Sequence, residues 1–506
     1  MNKFTISSMK DDAMGDCDAT ALAKRIADKE VSATEVLEAA LTRAEFANPK
    51  LNAIVTDSYD LSIKKARQDT QSHSGRGAFA GVPTFVKDNT DVKGLPTLFG
   101  SRAVASRPAK RNGEFTDQML STGLTILGKS TMPEFGIMPT TESLAQGATC
   151  NPWNINHSTG GSSGGAAALV AAGIVPIAHG NDGGGSIRIP AACCGLVGLK
   201  PTRNRLANMH GTDTLPINVG HEGVLTRSVR DTALFMAEAE KHFKNKKLVS
   251  LGHIQNPGKK RLRIGFITGA IKGISIHPDV QRTLTETSLL CESLGHHVEE
   301  VAFPFEDQIA DDFLTYYSLL FFSLHRFGKS LIGPGFDGSN VEKLCAHLSN
   351  SFIGNMGRLP FVIRRLKKAS LVTRQLHKHY DVLLCPTLTT PAPKNNFICN
   401  PALPASTIVK NMTEFAPFAA LQNITGEPAI SLPMGTSSTN LPIGMQFSAG
   451  YGEDQTLLEL AYELEEVKAW QHIHETIAKK KTRKQENKKI YEEINRIIFS
   501  DDNLNI

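Results

Sequence analysis

The chain has 506 residues, of which 41% are hydrophobic and 21% are charged. This composition is typical of a globular protein with a sizeable core, and it excludes a fibrous or largely disordered chain. The formal net charge is only +5, which is too small an excess to indicate a nucleic-acid-binding surface. Length alone leaves the number of domains open, since domains commonly hold about 100 to 200 residues.

The sequence predicts neither a membrane span nor a signal peptide. The first residues lack the apolar run of a signal peptide, and no later apolar run is long enough to span a bilayer. The eight cysteines show no paired metal spacing, and a chain of this length needs no disulfide framework. We therefore expect a cytoplasmic protein with free thiols and no membrane association.

The N-terminal half alternates predicted helices with buried strands. Ser32 and Glu35 form a capping box ahead of apolar residues at helical spacing, which predicts a helix. Short apolar runs at residues 81–86 and 124–127 are bounded by turn residues, which is typical of strands buried on both faces. The small residues at 166–172 predict a packed helix.

In the C-terminal half, a strand–helix–strand unit follows a polar stretch at residues 241–263, which we interpret as a surface loop. The unit consists of a strand at 262–267, a helix at 279–294 and a strand at 297–301, and it is typical of a βαβ unit. Further helices are predicted at 313–327, 352–376 and 454–470, and further strands at 381–386, 429–432 and 443–447.

The last residues differ in composition from the rest. We predict one domain at residues 1–475, followed by a basic, helical tail at 476–506 in which Ile490, Ile494 and Ile497 recur at helical spacing. Such a tail is either a solvated terminal helix or a segment that docks on a partner or an acidic surface.

Three consecutive glycines precede a serine in the segment GNDGGGSIRIP. The backbone N–H groups of Gly183, Gly184 and Gly185 can approach a ligand closely and point at one oxygen. Ser186 follows directly, so its hydroxyl would lie beside donors able to stabilise the oxyanion of a tetrahedral intermediate. We therefore expect Ser186 to be a nucleophile and the glycines to form an oxyanion hole.

A serine nucleophile needs a base, and no histidine is placed by local sequence to serve Ser186. Lys87 ends the apolar run GVPTFVK, which would carry its side chain into the interior. Burial lowers the pKa of a lysine from its usual value of about 10.4, so that a neutral amine could accept a proton. We expect Lys87 to be the base.

At these residues the sequence resembles the amidase signature family. The resemblance extends from about residue 21 to about residue 470, and its main motifs are GVPTFVKD at 81–88, GGSSGG at 160–165, GNDGGGSIRIP at 180–190 and GLVGLKPT at 195–202. It implies a Ser–Ser–Lys triad, with Lys87 as the base, Ser162 as a bridging serine on a cis peptide and Ser186 as the nucleophile.

The same resemblance implies the rest of the site and the fold. Ser163, Asp182 and Arg188 would support the site, with Asp182 and Arg188 more readily interpreted as a buried pair than as substrate-reading groups. The fold implied is α/β, with a mixed β-sheet core covered by helices on both faces. The reaction implied is hydrolysis of a small-molecule carboxylic amide through an acyl-enzyme, without a metal or an organic cofactor.

Within the family, the segment GNDGGGSIRIP looks most like 6-aminohexanoate cyclic-dimer hydrolases and related bacterial amidases. Asn181 stands where the family usually has Thr or Ser, and the bulk of Tyr316 and Tyr317 differs from that expected in the cyclic-dimer hydrolases. An alternative within the family is the glutamine-hydrolysing A subunit of a tRNA-dependent amidotransferase, which would work with a tRNA-binding partner. The chain itself is expected to act without nucleic acid, as a monomer or homodimer.

One motif matches a nucleotide-binding loop. Gly123, Gly128, Lys129 and Ser130 satisfy the pattern G-x-x-x-x-G-K-S. The four residues inside the pattern are strand formers, whereas a phosphate cradle needs a flexible loop followed by a helix. We therefore disfavour nucleotide binding.

A second motif matches the nucleophile elbow of α/β-hydrolases. Gly160, Ser162 and Gly164 satisfy G-x-S-x-G, which would make the protein a serine esterase with Ser162 as nucleophile and His210 or His221 as base. An elbow requires a strand immediately upstream, whereas the polar residues 151–159 predict turns. We disfavour this alternative on that ground.

Overall fold

The computed structural model describes residues 4–68, 77–209 and 211–475, so the predicted tail at 476–506 lies outside the described residues. The helices are α1 (Ala19–Ala27), α2 (Ala33–Leu51), α3 (Tyr59–Gln68), α4 (Glu114–Ser121), α5 (Gly164–Ala171), α6 (Arg188–Cys194), α7 (Val229–His242), α8 (Pro278–Ser293), α9 (Gln308–Leu331), α10 (Lys343–Asn355), α11 (Leu359–His379), α12 (Ala405–Phe415), α13 (Ala420–Thr425) and α14 (Asp454–Val467). The strands are β1 (Ile54–Asp57), β2 (Pro83–Lys87), β3 (Thr125–Ser130), β4 (Glu142–Ser143), β5 (Gly147–Ala148), β6 (Cys150–Asn151), β7 (Asn154–Ser158), β8 (Ile177–Asp182), β9 (Val197–Lys200), β10 (His221–Thr226), β11 (Arg263–Phe266), β12 (His297–Glu300), β13 (Val382–Pro386), β14 (Ala429–Thr436) and β15 (Pro442–Ala449).

The largest sheet is mixed and has the strand order β12-β11-β13-β15-β14-β9-β10-β8. Strands β12, β11 and β13 run parallel, and every later pairing, from β13–β15 to β10–β8, is antiparallel. All residues of β8, β9, β10, β13 and β15 are buried, which requires cover on both faces. The α/β fold with a mixed sheet is therefore confirmed, and so is the parallel βαβ unit formed by β11, α8 and β12.

A smaller sheet of order β1-β3-β2 lies against the free edge of β8. Side chains join the two edges: Thr84 donates its hydroxyl to the carbonyl of Ile177 over 3.0 Å. The backbone N–H of Lys87 donates to Nδ1 of His179 over 3.1 Å. Because Nδ1 accepts, the imidazole proton lies on Nε2, which donates to Glu222 at 2.8 Å. This seam places the end of β2 against the end of β8.

Helix α6 lies directly on the large sheet because two strands carry glycine beneath it. A Cβ at Gly198 would lie 2.6 Å from the Cβ of Ala191, and one at Gly444 would lie 2.5 Å from the Cβ of Ala192. Only glycine permits this approach. The contact fixes the start of α6, and therefore the turn between β8 and α6, relative to the sheet.

Two sequence-based predictions are wrong in detail. The helix predicted at 352–376 is divided into α10 and α11 by a turn at Met356–Arg358, because Pro360 occupies the first turn of α11 and cannot continue a preceding helix. The stretch 151–159, predicted to be turn-like, contains β7, which pairs antiparallel with β6. This polar hairpin is held by local pairing and not by apolar alternation, so the sequence pattern does not reveal it.

The eight cysteines are all free thiols, as predicted. Among the described residues, no helix combines the length and apolar character needed to cross a membrane.

Tyr316 connects α9 to the segment before β10 and provides a test of the fold. Its hydroxyl donates to the carbonyl of Ile217 at 2.7 Å and accepts from the Ile217 N–H at 2.9 Å. Tyr316→Phe would leave both buried backbone groups unpaired, so we expect it to lower the free energy of unfolding by about 2 kcal/mol in a urea titration. Tyr380→Phe, which removes an exposed hydroxyl bonded to Glu299, is the matched control. Equal effects of the two substitutions would contradict this role of Tyr316.

Candidate active site

The side chain of Lys87 is the centre of the site. It projects from the last residue of β2, a strand whose five residues are all buried, and is itself fully enclosed. Its Nζ donates to Ser162 Oγ over 2.7 Å and to Asn181 Oδ1 over 2.7 Å. Sequence reasoning therefore identified the lysine that the fold buries against a serine.

Burial lowers the pKa of Lys87 from 10.5 to about 7. Desolvation of the ammonium is the largest cause, and the nearby carboxylates of Glu222 and Asp182 oppose it by favouring the charged form. A pKa near 7 gives the neutral amine a substantial population at physiological pH. This is the condition under which a lysine can act as a proton acceptor.

Ser162 lies in the turn between β7 and α5, and the peptide bond between Gly161 and Ser162 is cis, as expected for the bridging serine. The glycines around it are required by close contacts with neighbouring backbone. A Cβ at Gly161 would lie 2.6 Å from the carbonyl oxygen of Thr140, and one at Gly165 would lie 2.5 Å from the backbone nitrogen of Thr131. The GGSSGG motif is thus explained by packing as well as by chemistry.

Ser186 lies in the turn that connects β8 to α6, with a residue exposure of 9%. The N–H of Gly185 donates to Asp182 Oδ1 over 2.7 Å, so it is not free to face an oxyanion. In the described part of the chain, no hydrogen bond occupies the N–H groups of Gly183, Gly184 or Ser186 itself. The sequence predicted an oxyanion hole made by the N–H groups of Gly183, Gly184 and Gly185. In the structure the N–H of Gly185 is occupied, and the N–H of Ser186 is available in its place.

Asp182 and Arg188 hold this turn in place. The guanidinium binds the carboxylate through two hydrogen bonds, of 2.9 and 3.0 Å, and both side chains are fully buried. Arg188 also donates to Gln446 and Asn423, each over 2.7 Å. Arg188 and the Asn423 amide hold the pKa of Asp182 well below its usual value despite burial. The pair is structural, in agreement with the preferred interpretation.

Ser163 connects the two glycine-rich turns. Its backbone N–H donates to the carbonyl of Ser186 over 3.3 Å, and its hydroxyl donates to the carbonyl of Asn181 over 3.2 Å. In the described part of the chain, no hydrogen bond joins the hydroxyls of Ser162 and Ser186. The two serines are nevertheless held on adjoining turns by these backbone contacts.

Asn181 is the site residue that sequence reasoning undervalued. Its Oδ1 accepts from Lys87 Nζ, and its Nδ2 donates to Asn89 Oδ1 over 2.8 Å, which fixes the orientation of the amide. The only hint in the sequence was that this position holds Asn where the family usually has Thr or Ser. Only the pairing of the two sheet edges shows that this side chain touches the lysine.

Ser186 and Gly184 open into a cavity of about 140 Å³. Its walls come from the loop at residues 136–139 and from α9, α12 and α13. Lys87 and Ser162 do not line it. The site therefore has the Ser186 residue at the floor of a cavity, and the enclosed amine of Lys87 lies outside the lining of that cavity.

The two rival motifs take on other roles. Lys129 and Ser130 lie within β3, and Lys129 Nζ donates to Thr97 Oγ1 over 3.1 Å, so the G-x-x-x-x-G-K-S segment is a strand and not a phosphate loop.

Of the two histidines considered as bases for an elbow, His221 has its Nδ1 2.9 Å from the carbonyl of Val219, and His210 lies outside the described residues. Because strand β7 lies immediately upstream of the motif, the lack of a strand is no longer an argument against an elbow. In the described chain, however, the group bonded to the Ser162 hydroxyl is Lys87.

Comparison with known proteins agrees with this geometry. The family model described as Amidase matches residues 35–458. The chain belongs to the amidase signature family. A Mycobacterium leprae protein named as an amidase, AmiC, is 43% identical to this chain over 92% of this chain and 98% of its own length. The 6-aminohexanoate-cyclic-dimer hydrolase of Paenarthrobacter ureafaciens is 34% identical over 90% of this chain and 95% of its own length.

The amidase fold is shared as well. A solved 6-aminohexanoate cyclic dimer hydrolase superposes with a TM-score of 0.81, at 30% identity, over 91% of this chain and 98% of that structure. The chain is thus an amidohydrolase that acts on carbon–nitrogen bonds, as the sequence motifs predicted.

The Asp182–Arg188 pair of this amidase predicts a large stability effect. Arg188→Met would leave the Asp182 carboxylate buried without its counter-ion, so we expect the free energy of unfolding to fall by about 3 to 5 kcal/mol. Lys410→Met, which removes an exposed ion pair with Glu414, should change it far less. Both are measured by chemical denaturation. A small effect of Arg188→Met would show that the pair does not hold the turn.

Proposed function

We propose that this amidase hydrolyses its substrate through an acyl-enzyme on Ser186, with Ser162 as the proton relay and Lys87 as the base. The observation that carries the proposal is the 2.7 Å hydrogen bond between Lys87 Nζ and Ser162 Oγ, made by an amine whose pKa is lowered to about 7. A buried neutral amine with an adjacent hydroxyl is what activation of a serine requires in the absence of a histidine.

In the acylation step, Ser186 Oγ attacks the carbonyl carbon of the amide. Its proton passes to Ser162, whose own proton passes to the neutral amine of Lys87. Hydrogen bonds of this kind often tighten only when substrate is bound, so the absence of a direct bond between the two serine hydroxyls is compatible with the relay. The carbonyl oxygen gains the negative charge and needs donors at that moment.

The N–H groups of Gly183, Gly184 and Ser186 are the donors that the turn leaves free. Backbone donors fixed by Asp182 and Arg188 need little reorganisation when the charge develops, which is the basis of oxyanion stabilisation. Collapse of the intermediate breaks the C–N bond, and the proton held by Lys87 returns through Ser162 to the leaving nitrogen. Water then attacks the acyl-enzyme by the same relay and releases the carboxylic acid.

The alternatives are less well supported. None of the described residues that line the cavity is charged, so it offers no ionic partner for the α-carboxylate or α-ammonium group of glutamine. An esterase that used Ser162 as nucleophile would place that hydroxyl against the substrate, but in the described chain Ser186, and not Ser162, lines the cavity. We therefore place the nucleophile at Ser186 and propose a free enzyme, active without a tRNA-binding subunit.

Covalent labelling tests the choice of nucleophile. A fluorophosphonate probe should form one adduct, mapped by mass spectrometry to Ser186, and Ser186→Ala should abolish it. Lys87→Ala should slow labelling by roughly 10²-fold or more, because general-base assistance is lost. Ser293→Ala, at an exposed helix end, is the control and should label normally. An adduct on Ser162 would contradict the proposed roles of both serines.

The pH dependence of kcat/KM tests the role of Lys87. Activity should rise as pH increases through about 7, where the amine loses its proton. Asn181→Asp places a carboxylate against Nζ and favours the charged amine, so this limb should move to higher pH by about 1 unit or more. Asn350→Asp adds the same charge at an exposed position on α10 and should leave the limb in place. An unmoved limb in Asn181→Asp would exclude Lys87 as the titrating base.

A further inference from the structure

The cavity above Ser186 is lined mainly by apolar side chains. Its walls come chiefly from one loop, one long helix and two short helices, and the residues on them include Ile137, Phe313, Leu314, Tyr317, Val409 and Met412. None of these described residues carries a charge. The cavity therefore provides an apolar environment directly beside the proposed nucleophile.

The side-chain hydroxyls of α9 and α12 that lie in these walls are already engaged. Tyr317 donates its hydroxyl to the carbonyl of Gly136 over 3.2 Å, and Thr413 donates to the carbonyl of Val409 over 3.0 Å. A charged or strongly polar substituent entering the cavity would lose its water without gaining partners, which is strongly unfavourable. An apolar substituent would gain by its burial instead.

The wall formed by α9 is an aromatic cluster. The rings of Phe313 and Tyr317 stack at 5.5 Å with an interplanar angle of 21°, and Phe321 packs edge-on to Tyr317 at 4.9 Å. Tyr316 is fully buried and bonded to Ile217, so it anchors the helix and does not line the cavity. Of these two neighbouring tyrosines, only Tyr317 lines the cavity.

Size adds a second restriction. An apolar protein cavity of about 150 Å³ is large enough to bind benzene, and this one measures about 140 Å³. The half-buried side chain of Met412, on α12, is flexible and can adjust to the shape of an occupant. A phenyl ring or a branched alkyl group of similar size matches this volume.

We infer that this cavity binds the acyl substituent of the substrate and selects uncharged amides of aromatic or branched aliphatic acids about the size of benzoic acid. The inference rests on the proposed acyl-enzyme at Ser186, because the acyl group stays attached to that serine after the amine has left. A cavity that adjoins Ser186 holds it through both chemical steps. Phe313, Tyr317 and Met412 are the residues that set this specificity.

A matched substrate series tests the inference with the purified full chain. We expect kcat/KM for benzamide to exceed that for acetamide by at least about tenfold, in line with burial of a ring. The kcat/KM for glutamine should fall below that for benzamide. Acetanilide, which carries the ring on the amine side, should gain little over acetamide. Equal rates for benzamide and acetamide, or a preference for acetanilide or glutamine, would overturn the inference.

Variants test the wall itself. Met412→Glu should lower the benzamide-to-acetamide ratio of kcat/KM by roughly tenfold, whereas Met412→Leu should largely preserve it. Leu371→Glu adds the same charge at a residue that is 57% exposed on α11, and it should leave the ratio unchanged. A ratio that is the same in Met412→Glu as in the native enzyme would contradict the role of this wall.

The outcome separates the inference from the proposed function. If Ser186 is labelled and acetamide is hydrolysed, but benzamide is not preferred, the inferred acyl specificity is wrong and the proposed mechanism is unaffected. Absence of both labelling and amide hydrolysis would overturn the mechanism on which the inference rests.

Discussion

The enclosure of the Lys87 amine is the constraint on which the rest of the site depends. Its strand is buried throughout, and removal from water brings the pKa down to about 7. The same enclosure obliges the amine to find partners inside the protein, and Ser162 Oγ and Asn181 Oδ1 provide them at 2.7 Å each. The negative charges of the nearby Glu222 and Asp182 carboxylates limit the fall of this pKa. The pKa of the lysine is thereby kept close to 7, as the proposed role of a base requires.

The site exists only where two sheets meet. Lys87 ends β2 and Asn181 lies near the end of β8, and no backbone ladder joins these strands in the described chain. The junction depends on side chains, chiefly His179, which accepts from the Lys87 backbone and donates to Glu222. Loss of this imidazole would remove one of the bonds that hold Lys87 beside Asn181 without touching either serine, so a residue outside the lining of the cavity helps to set the geometry on which the proposed relay depends.

The sequence predicted the parts of the fold and of the site that depend on local pattern. Strand β2, the two glycine-rich turns and the βαβ unit follow from spacing and residue type. Three features depend on contacts between distant segments and were not predictable: the engagement of Gly185 N–H by Asp182, the contact of Asn181 with Lys87, and the short polar strand β7. The break between α10 and α11 was available from Pro360, but the strong apolar periodicity on either side concealed it.

Within the proposed mechanism, the apolar cavity and the buried base act at different points of the site. A substituent that fills the cavity displaces water from the floor at Ser186, which lines it, and leaves the reacting carbonyl in poorly solvated surroundings. The Lys87 amine does not depend on this occupant, because the protein alone encloses it and lowers its pKa to about 7. The cavity therefore selects the substituent, while the proton is exchanged by Ser162 and Lys87, which lie outside the lining of the cavity.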